Sequence, residues 1–575
     1  MRKILQLLKP YKRTLSISLT LKSIGTMSDL FLPFLIAYMI DDVIPYTETD
    51  NLFPIYRIGI LMFVIALVGW GMNIIANRTA EKIAASAIRG LRHDLFEKIE
   101  GLSSKQVDHF TRPSLISRMT TDTYNLYNAT AGIQRLGVRA PVLLIGGIIM
   151  SFLVDPLLTL VMIATLPFIG ILVYSVSKRG IPLYKDIQIR TDKLIRTVRE
   201  FITGARVIKA LSMSDHEKKR FNTFNEDTVA GELKAHYTMA KINPAMNAIV
   251  NVGLVLVLIF GAFRIDQNFI QKGDITAFVT YFTLILNAMM SITRIFVMLS
   301  RAQASGQRVD EVLYIEDDII DGINELNPNE HMPHIEFKNV SFSYNKQKEN
   351  LSNISFKLYK GQTLGIIGST GSGKTTLINL LMRFYDSDEG EILYFGENIK
   401  SLKIHSLRKN VGLVLQQDLI FSESIYDNIQ FNRSKIEQMD VEMATKIAQA
   451  EFIYEREDAF NNQMSTRGMN LSGGQKQRVL IARAIAGKPQ LLILDDASSA
   501  LDYQTDMRMR QALNETLKDT TKIIIAQRIS SLKEADLILV MEGGRIMESG
   551  THESLMASSK NYQTLAKHQM GGVSV

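Results

Sequence analysis

Six long apolar stretches within the first 300 of 575 residues constrain the fold of this chain more than any other feature. A helix needs about 20 apolar residues to cross a hydrocarbon core roughly 30 Å thick. Lipid offers no partners to backbone N–H and C=O groups, so each stretch is predicted to be a helix. The predicted spans are residues 14–40, 58–75, 137–154, 157–176, 242–263 and 275–299.

Basic residues indicate how these spans are oriented. The two long loops, 76–136 and 177–241, together with residues 1–13 contain 28 Lys and Arg. The short connections contain three, namely Arg57, Arg264 and Lys272. Because positive charge stays on the cytoplasmic side, the long loops and both termini are predicted to be cytoplasmic. The chain is therefore predicted to be a multi-pass protein of the cell membrane.

The connections between spans carry further structural signals. Only Asp155 and Pro156 separate the third and fourth spans, which predicts a tight antiparallel helical hairpin. Both long loops have a helical composition, so the spans are expected to continue as helices beyond the bilayer. Segments 110–122 and 211–216 interrupt that pattern. From the residues alone, each interruption is either a plain turn or a docking surface.

Two charged residues fall inside the first span, where ionisable groups are costly and usually functional. Lys22 lies near its cytoplasmic end and is expected to extend its amine towards the membrane surface. Asp29 lies deeper, so it either contacts a transported substrate or pairs with another helix. The sequence leaves both alternatives open for Asp29.

Composition excludes several classes of protein. The chain has no cysteine, so disulfide scaffolds, thiolate metal sites and cysteine nucleophiles are impossible. Its formal net charge of +7 comes without a block of basic and aromatic residues typical of a nucleic-acid face. We therefore expect a membrane as partner and no nucleic acid.

A polar, turn-rich segment near residue 320 indicates a linker between two domains, 1–320 and 321–575. Beyond it, short β-like runs at 335–340, 352–358 and 363–367 alternate with helical segments. Such alternation is typical of an α/β domain. The predicted fold is thus an all-α transmembrane domain of six long helices followed by an α/β nucleotide-binding domain.

The third β-like run leads directly into a complete phosphate-loop pattern. In such loops backbone N–H groups surround the phosphates, Lys374 reaches the β and γ phosphates, and the Thr375 hydroxyl binds Mg²⁺. ATP and Mg²⁺ are the predicted ligands. The residues predicted to bind the nucleotide here are Gly368, Ser369, Thr370, Gly371, Ser372, Gly373, Lys374, Thr375 and Thr376.

A second buried strand is predicted at 490–496, and it ends in Asp495 and Asp496. Open α/β sheets bind their ligands at the carboxyl ends of strands. A carboxylate placed there, with a phosphate loop upstream, suits a magnesium ion. Asp495 is therefore predicted to help hold the metal together with Thr375.

Between these elements lies Leu-Ser-Gly-Gly-Gln, a glycine-rich turn that opens a helix and contains Ser472, Gly473, Gly474 and Gln475. Together with the phosphate loop about 100 residues upstream, this motif makes the chain resemble the ATP-binding cassette transporters. The resemblance covers the whole chain. Six spans followed by one cassette are similar to exporters in which each subunit is half of the transporter.

The resemblance implies roles for further residues. Tyr344 looks like the aromatic residue that stacks on adenine, and Gln416 like the glutamine that senses magnesium and the membrane helices. Asp502 belongs to a segment similar to the loop that crosses the cassette dimer interface. The resemblance also implies that segments 113–120 and 211–216 are coupling helices that press on the cassettes, which favours docking over plain turns.

Three positions depart from the family pattern. Asp496 stands where efficient hydrolysers have a glutamate that polarises the attacking water, and Gln527 replaces the histidine of the switch segment. Aspartate is one methylene shorter, and glutamine cannot carry a positive charge or shuttle a proton. Thr466 replaces a glutamate that contacts the coupling helices in many exporters.

These departures predict how the chain assembles. Family cassettes pair head to tail, with each ATP between one chain's phosphate loop and the other chain's signature. A homodimer would thus have two impaired sites, whereas a heterodimer can have one competent site. The sequence predicts the degenerate-site subunit of a heterodimeric exporter of apolar or amphiphilic substrates. The alternatives are an importer of the same architecture or an ATP-gated regulatory subunit.

Overall fold

A computed structural model describes residues 2–47, 51–346, 348–416 and 419–570. The chain divides into two compact units. One consists of residues 1–100 and 113–315, and the other of residues 101–112 and 316–575. A short segment from the helical half of the sequence therefore clusters with the second unit.

The described residues up to 313 are almost entirely helical. Six helical segments are long and apolar enough to cross a membrane, which confirms the six predicted spans. Several extend well past the bilayer, as expected from the composition of the long loops. The helices are α1 Arg2–Leu8, α2 Lys12–Tyr38, α3 Phe53–Glu100, α4 Ser104–Phe110, α5 Arg112–Ser117, α6 Thr123–Val154, α7 Pro156–Ala210, α8 Ser214–Ala240, α9 Ile242–Asp266 and α10 Lys272–Leu313.

The predicted hairpin between the third and fourth spans is present, and its sequence explains its geometry. Pro156 occupies the first turn of α7, where its missing N–H costs no hydrogen bond. The buried Asp155 caps the same helix by accepting a hydrogen bond from the Leu158 N–H at 2.9 Å. Its second oxygen accepts from Arg264 Nη2 at 2.6 Å, which ties the hairpin tip to the end of α9.

The interruption expected at 110–122 in the first long loop is present in part, since the chain turns at Thr111 and forms a π-helical turn at its end. Residues 113–120 continue a helical path through α5 and a π-helical turn, Arg118–Asp122. The chain instead breaks at residues 101–103 and at Thr111, whose φ of 64° ends α4. It is α4, capped by Ser103 and Gln106, that clusters with the second unit. In the second long loop a turn at residues 211–213 separates α7 from α8.

Lys22 does not extend to the membrane surface, and that expectation was wrong. The residue is only 4% exposed. Its amine donates hydrogen bonds to Asn73 Oδ1 at 2.8 Å and Asn77 Oδ1 at 3.0 Å, both on α3. These two amide oxygens replace water around the ammonium group, so the charge is held between two helices.

The second unit is built on two sheets. A four-stranded antiparallel sheet has the order β2-β1-β4-β5, and a six-stranded, mainly parallel sheet has the order β10-β9-β3-β8-β7-β6. The strands are β1 Ile335–Phe342, β2 Leu351–Leu358, β3 Thr363–Gly368, β4 Glu389–Tyr394, β5 Glu397–Asn398, β6 Val411–Val414, β7 Leu491–Asp495, β8 Thr521–Ile525, β9 Leu537–Glu542 and β10 Arg545–Gly550.

Helices pack around the six-stranded sheet, as expected for parallel strands whose residues are buried on both faces. All five residues of β7 are buried. The carboxyl ends of the adjacent parallel strands β3, β8 and β7 lie at one edge, which places the segments that follow them together. The helices are α11 Lys374–Leu381, α12 Ile404–Lys409, α13 Ile425–Gln430, α14 Gln438–Ile447, α15 Gly473–Ile485, α16 Tyr503–Thr516, α17 His552–Ser558 and α18 Lys560–Met570.

Candidate nucleotide-binding site

The phosphate-loop segment runs from the end of β3 into the start of α11 and requires glycine at two positions. Gly371 and Gly373 have φ values of 83° and 99°, a region that side-chain-bearing residues rarely adopt. A Cβ on Gly373 would lie 2.9 Å from the Asn350 carbonyl oxygen. The loop therefore exposes its backbone at the amino end of a helix, where N–H groups favour anions.

The side chain of Lys374 folds back onto the phosphate loop. Its Nζ donates hydrogen bonds to the carbonyl oxygens of Gly368 at 2.9 Å and Ser369 at 2.8 Å. Burial lowers the pKa of the amine, while the nearby carboxylates of Asp495 and Asp496 oppose that shift. The lysine is thus positioned against the loop that it is expected to bridge to the phosphates.

Two of the three residues predicted at the metal, Thr375 and Asp495, are adjacent, and the third, Gln416, lines the same cleft. Thr375 Oγ1 donates a hydrogen bond to Asp495 Oδ2 at 2.8 Å. Asp495 is buried, and burial raises its pKa whereas the bond from Thr375 lowers it. A hydroxyl and a carboxylate at one point of the cleft are the hard oxygen donors that Mg²⁺ prefers, so these residues fit the metal.

Two of the three residues that depart from the family pattern, Asp496 and Gln527, contact each other. Gln527 Nε2 donates a hydrogen bond to Asp496 Oδ2 at 2.9 Å. Asp496 adopts φ of 53° directly after β7, and its N–H donates to the Ile525 carbonyl at 3.0 Å. Burial raises the pKa of Asp496, while the amide of Gln527 lowers it. The amide of Gln527 can hold the Asp496 carboxylate in place, but it neither takes up nor releases a proton at neutral pH.

These groups surround one cleft of about 420 Å³. It brings together most of the residues predicted from the phosphate loop, both aspartates, Gln416 and Gln527. Sequence reasoning missed Asn350, Ile367 and Ile525, which belong to no motif. The cleft is lined by Asn350, Ile367, Gly368, Ser369, Thr370, Gly371, Gly373, Lys374, Thr375, Thr376, Gln416, Asp495, Asp496, Ile525 and Gln527. Ser372 is buried and does not line it.

Tyr344 lies beside this cleft and is 40% exposed. Its hydroxyl is 3.4 Å from Thr376 Oγ1 and accepts a hydrogen bond from Asn379 Nδ2 at 3.1 Å. The ring packs edge-on against Phe342 and Tyr385, with centroid distances of 4.9 and 5.0 Å. Two aromatic neighbours therefore hold the ring in place next to the phosphate loop.

We expect Tyr344→Ala to raise the dissociation constant for ATP about tenfold, because stacking of a base on an aromatic ring contributes about 1 to 3 kcal/mol. Tyr344→Phe keeps the ring and its aromatic neighbours, so it should change the constant less than threefold. Equilibrium binding of a fluorescent ATP analogue to the purified chain measures both. An equal loss in the two variants would show that the ring face is not the contact.

The signature motif lies outside this cleft. Ser472 caps α15, where its hydroxyl accepts from the Gln475 N–H at 3.2 Å and its own N–H donates to Gln475 Oε1 at 3.0 Å. A Cβ on Gly474 would lie 2.9 Å from the Ala500 carbonyl oxygen. None of the signature residues is among the described residues that line the cleft, and neither is Asp502, which caps α16.

A hydrogen-bonded link joins the signature helix to the loop that follows Asp496. Gln477 Nε2 donates to Ser499 Oγ at 3.1 Å, and Gln477 Oε1 accepts from the Ala500 N–H at 2.9 Å. Ser499 Oγ in turn donates to the Asp496 carbonyl at 3.0 Å. The signature helix of this chain is therefore connected to Asp496 through Gln477 and Ser499.

The helix α4 contacts residues next to the cleft. Tyr385, whose ring packs against Tyr344, donates its hydroxyl to Asp108 Oδ2 at 2.7 Å. Gln106 donates through Nε2 to the Glu316 carbonyl at 2.7 Å. Within the described residues α4 thus makes contacts in the second unit, whereas residues 113–120, expected to be a coupling helix, cluster with the first unit.

Comparisons with known proteins agree with this architecture. Residues 15–289 match the family model described as ABC transporter transmembrane region, and residues 351–499 match the one described as ABC transporter. The chain has a TM-score of 0.83 to the structure of a bacterial Atm1-family ABC exporter with ATP bound. The two are 23% identical, and the match covers 98% of this chain and 99% of the other, which shows the fold.

Curated relatives are similar over nearly their whole length. YknU of Bacillus subtilis, an uncharacterized ABC transporter ATP-binding protein, is 35% identical over 97% of this chain and 95% of its own. YgaD of the same organism, a putative multidrug export ATP-binding/permease protein, is 32% identical over 98% of both. The six spans, the phosphate loop, the signature and these matches together show that the chain belongs to the ABC transporters. It is a multi-pass membrane half-transporter with a cytoplasmic ATP-binding domain.

Proposed function

We propose that this chain is the degenerate-site half of a heterodimeric exporter of apolar or amphiphilic compounds. The hydrogen-bonded pair of Asp496 and Gln527 carries the proposal, because these residues stand where the family pattern has a glutamate and a histidine. The similarity to a putative multidrug export protein supports the exporter assignment and the substrate class.

The cleft is suited to hold Mg-ATP. Backbone N–H groups of the phosphate loop would surround the phosphates. The amine of Lys374 would exchange its hydrogen bonds to two carbonyl oxygens for contacts with the β and γ phosphates. Thr375 and Asp495 would hold magnesium, with Gln416 nearby in the cleft lining. Bound magnesium neutralises negative charge on the phosphates. Tyr344 would cover the adenine from the side of the cleft.

Hydrolysis at this site is expected to be slow for two separate reasons. The Asp496 carboxylate is one methylene short of the position from which a glutamate orients water, and it is already bonded to Gln527. General-base catalysis depends first on reach, and it contributes about 10² to 10⁴ in rate. Gln527 can donate to a phosphate oxygen but cannot transfer a proton.

The intact signature supports a second chain as partner. Ser472, Gly473, Gly474 and Gln475 keep their family identity but lie away from the chain's own cleft. In a head-to-tail pair they would complete the partner's site, whose phosphate loop and glutamate come from the other polypeptide. An ATP-gated regulatory subunit without sustained turnover has no use for this motif.

Contacts of α4 support coupling between nucleotide binding and the membrane helices. The path from Tyr344 through Tyr385 to Asp108 consists of one ring contact and one hydrogen bond. Movement of the adenine-facing ring would therefore reach α4 directly. The turn at residues 211–213 is the proposed docking point for the partner's cassette.

The purified single chain is expected to bind Mg-ATP in the micromolar to millimolar range but to hydrolyse it at least 100-fold more slowly than the heterodimer, because both altered residues sit in every site it can form. Binding of a labelled ATP analogue and release of inorganic phosphate measure the two quantities on one sample. Sustained turnover by the single chain would refute the heterodimer.

Uptake of amphiphilic dyes by inverted vesicles would separate exporter from importer, since only an exporter accumulates the dye.

A further inference from the structure

Two ion pairs connect α2, α3 and α6 on the cytoplasmic side of the predicted spans. Arg139 Nη2 on α6 lies 3.2 Å from Asp29 Oδ2 on α2, and Arg135 Nη1 lies 2.7 Å from Glu81 Oε1 on α3. Asp29 is about 18 Å along the helix from Asp41, at 1.5 Å per residue, which places it in the cytoplasmic half of a hydrocarbon core roughly 30 Å thick. Arg139 is the third residue of the predicted span 137–154, so the first pair lies inside the core near its cytoplasmic end, whereas Arg135 and Glu81 lie just outside the predicted spans.

The same pair is partly exposed on the described chain. The side chains of Arg139 and Asp29 are 47% and 32% exposed. Charged groups at this depth are too costly to face lipid and instead line the interior of a bundle or a water-filled path. In a transporter made of two halves, the surface that carries Arg139 and Asp29 thus faces the space between the halves.

The two arginines differ in how firmly their acidic partners are held. A guanidinium has five N–H donors, and within the described residues each arginine makes one ion pair and is about half exposed, 47% for Arg139 and 43% for Arg135. Glu81 also accepts a hydrogen bond from the Tyr127 hydroxyl at 2.6 Å, whereas the hydrogen bond to Asp29 is the one from Arg139 at 3.2 Å. Arg139 therefore has a half-exposed edge of donors and the more displaceable carboxylate.

The sign of the surrounding charge favours an anion. Three cationic groups face two carboxylates in this cluster, and one of the cations, Lys22, is buried between α2 and α3 and held by Asn73 and Asn77. A planar fork of unused donors suits the oxygens of a carboxylate, sulfate or phosphate, which it can bind in a bidentate way. A cation would have only Asp29 to meet, and Arg139 would repel it.

We propose that Arg139, with Asp29 as its displaceable partner, binds the anionic head of an amphiphilic substrate whose apolar part lies along the spans. The assignment rests on the proposed transport function and narrows its substrate class. When no substrate is bound, the carboxylate of Asp29 neutralises the guanidinium of Arg139. An entering anion replaces that carboxylate at the guanidinium and balances the one excess positive charge of the cluster, in which three cations face two carboxylates.

Two matched dansyl probes with the same undecyl chain test the site, one ending in a carboxylate and one in a trimethylammonium group. Binding is followed by dansyl fluorescence on the full-length complex in phosphatidylcholine nanodiscs without nucleotide. Arg139→Gln should weaken binding of the acid about tenfold, the scale of one charge-assisted hydrogen bond. Asp29→Asn should strengthen it several-fold, because the variant frees the guanidinium. Arg139→Lys should retain part of the affinity.

Arg135→Gln is the matched control, since it removes the same charge one helical turn away. It should change acid binding less than threefold, and a loss equal to that of Arg139→Gln would overturn the site by showing that only net charge matters. Unchanged binding of the cationic probe shows that a variant is folded. Competition by phosphatidylglycerol would assign the anion to a lipid headgroup, and its absence would assign it to a soluble amphiphile.

ATPase activity measured on the same samples separates this inference from the proposed function. A complex that hydrolyses ATP and transports dye, but binds the acid equally well with and without Arg139, would refute the anion site alone. A complex that moves no amphiphile in either direction would refute the transport function itself.

Discussion

Gly474→Asp in this chain is expected to reduce ATPase activity of the heterodimer at least 100-fold. The new side chain would enter the space where a Cβ alone already lies 2.9 Å from the Ala500 carbonyl, and it adds a negative charge at the start of α15. The signature would then fail to offer its donors to the partner's γ phosphate, and loss of such donors costs about 10² to 10³ in rate. Steady-state phosphate release from the purified pair measures the effect.

Asp496→Asn in the same chain is the matched comparison, because it changes one residue of the other site. Turnover should fall less than threefold, since on the proposed assignment the site that contains Asp496 contributes little hydrolysis. The ATPase activity of the Lys374→Ala variant should lie between those of the other two, because the change lowers occupancy of the site by nucleotide. If Asp496→Asn eliminated turnover while the Gly474 variant kept it, the assignment of the competent site would be inverted.

The double change Asp496→Glu and Gln527→His should raise ATP hydrolysis by the single chain at least 100-fold. Glutamate restores the missing methylene, histidine restores a proton-transferring switch, and a homodimer of the variant has two complete sites, each closed by an intact signature. Each residue alone should give a smaller gain, because the pair is in direct contact and acts together. Phosphate release by the four chains, parent included, is the measurement.

ATP affinity provides the control for this restoration. Neither change touches the phosphate loop, so binding should stay within about threefold of the parent chain. Unchanged hydrolysis at unchanged affinity would mean that the two altered residues are not what limits the site. The degenerate-site assignment would then have to be given up.

Features encoded by local patterns could be predicted from the sequence. The six spans follow from apolar length, the hairpin from Asp155 and Pro156, and the phosphate-binding loop from glycine spacing. These signals act within a few residues of each other and so require no knowledge of the fold.

Features that depend on distant partners could not be predicted. Lys22 is buried only because Asn73 and Asn77, about fifty residues later, supply its hydrogen bonds. The helix α4 was not recognised as a separate element, because its end at Thr111 has a φ of 64° at a residue type that gives no such signal. Asn350 reaches the cleft through the close approach of its backbone to Gly373, which no motif records.

The link from Gln477 through Ser499 to Asp496 has a consequence for how such a chain can change over evolutionary time. On the proposed assignment, selection on the partner's site must preserve the position of α15, and α15 is bonded to the loop beside this chain's degenerate site. Mutational drift can therefore replace the reactive side chains of that site but not its backbone. A site that has lost its chemistry would keep its shape, and two substitutions would separate it from renewed activity.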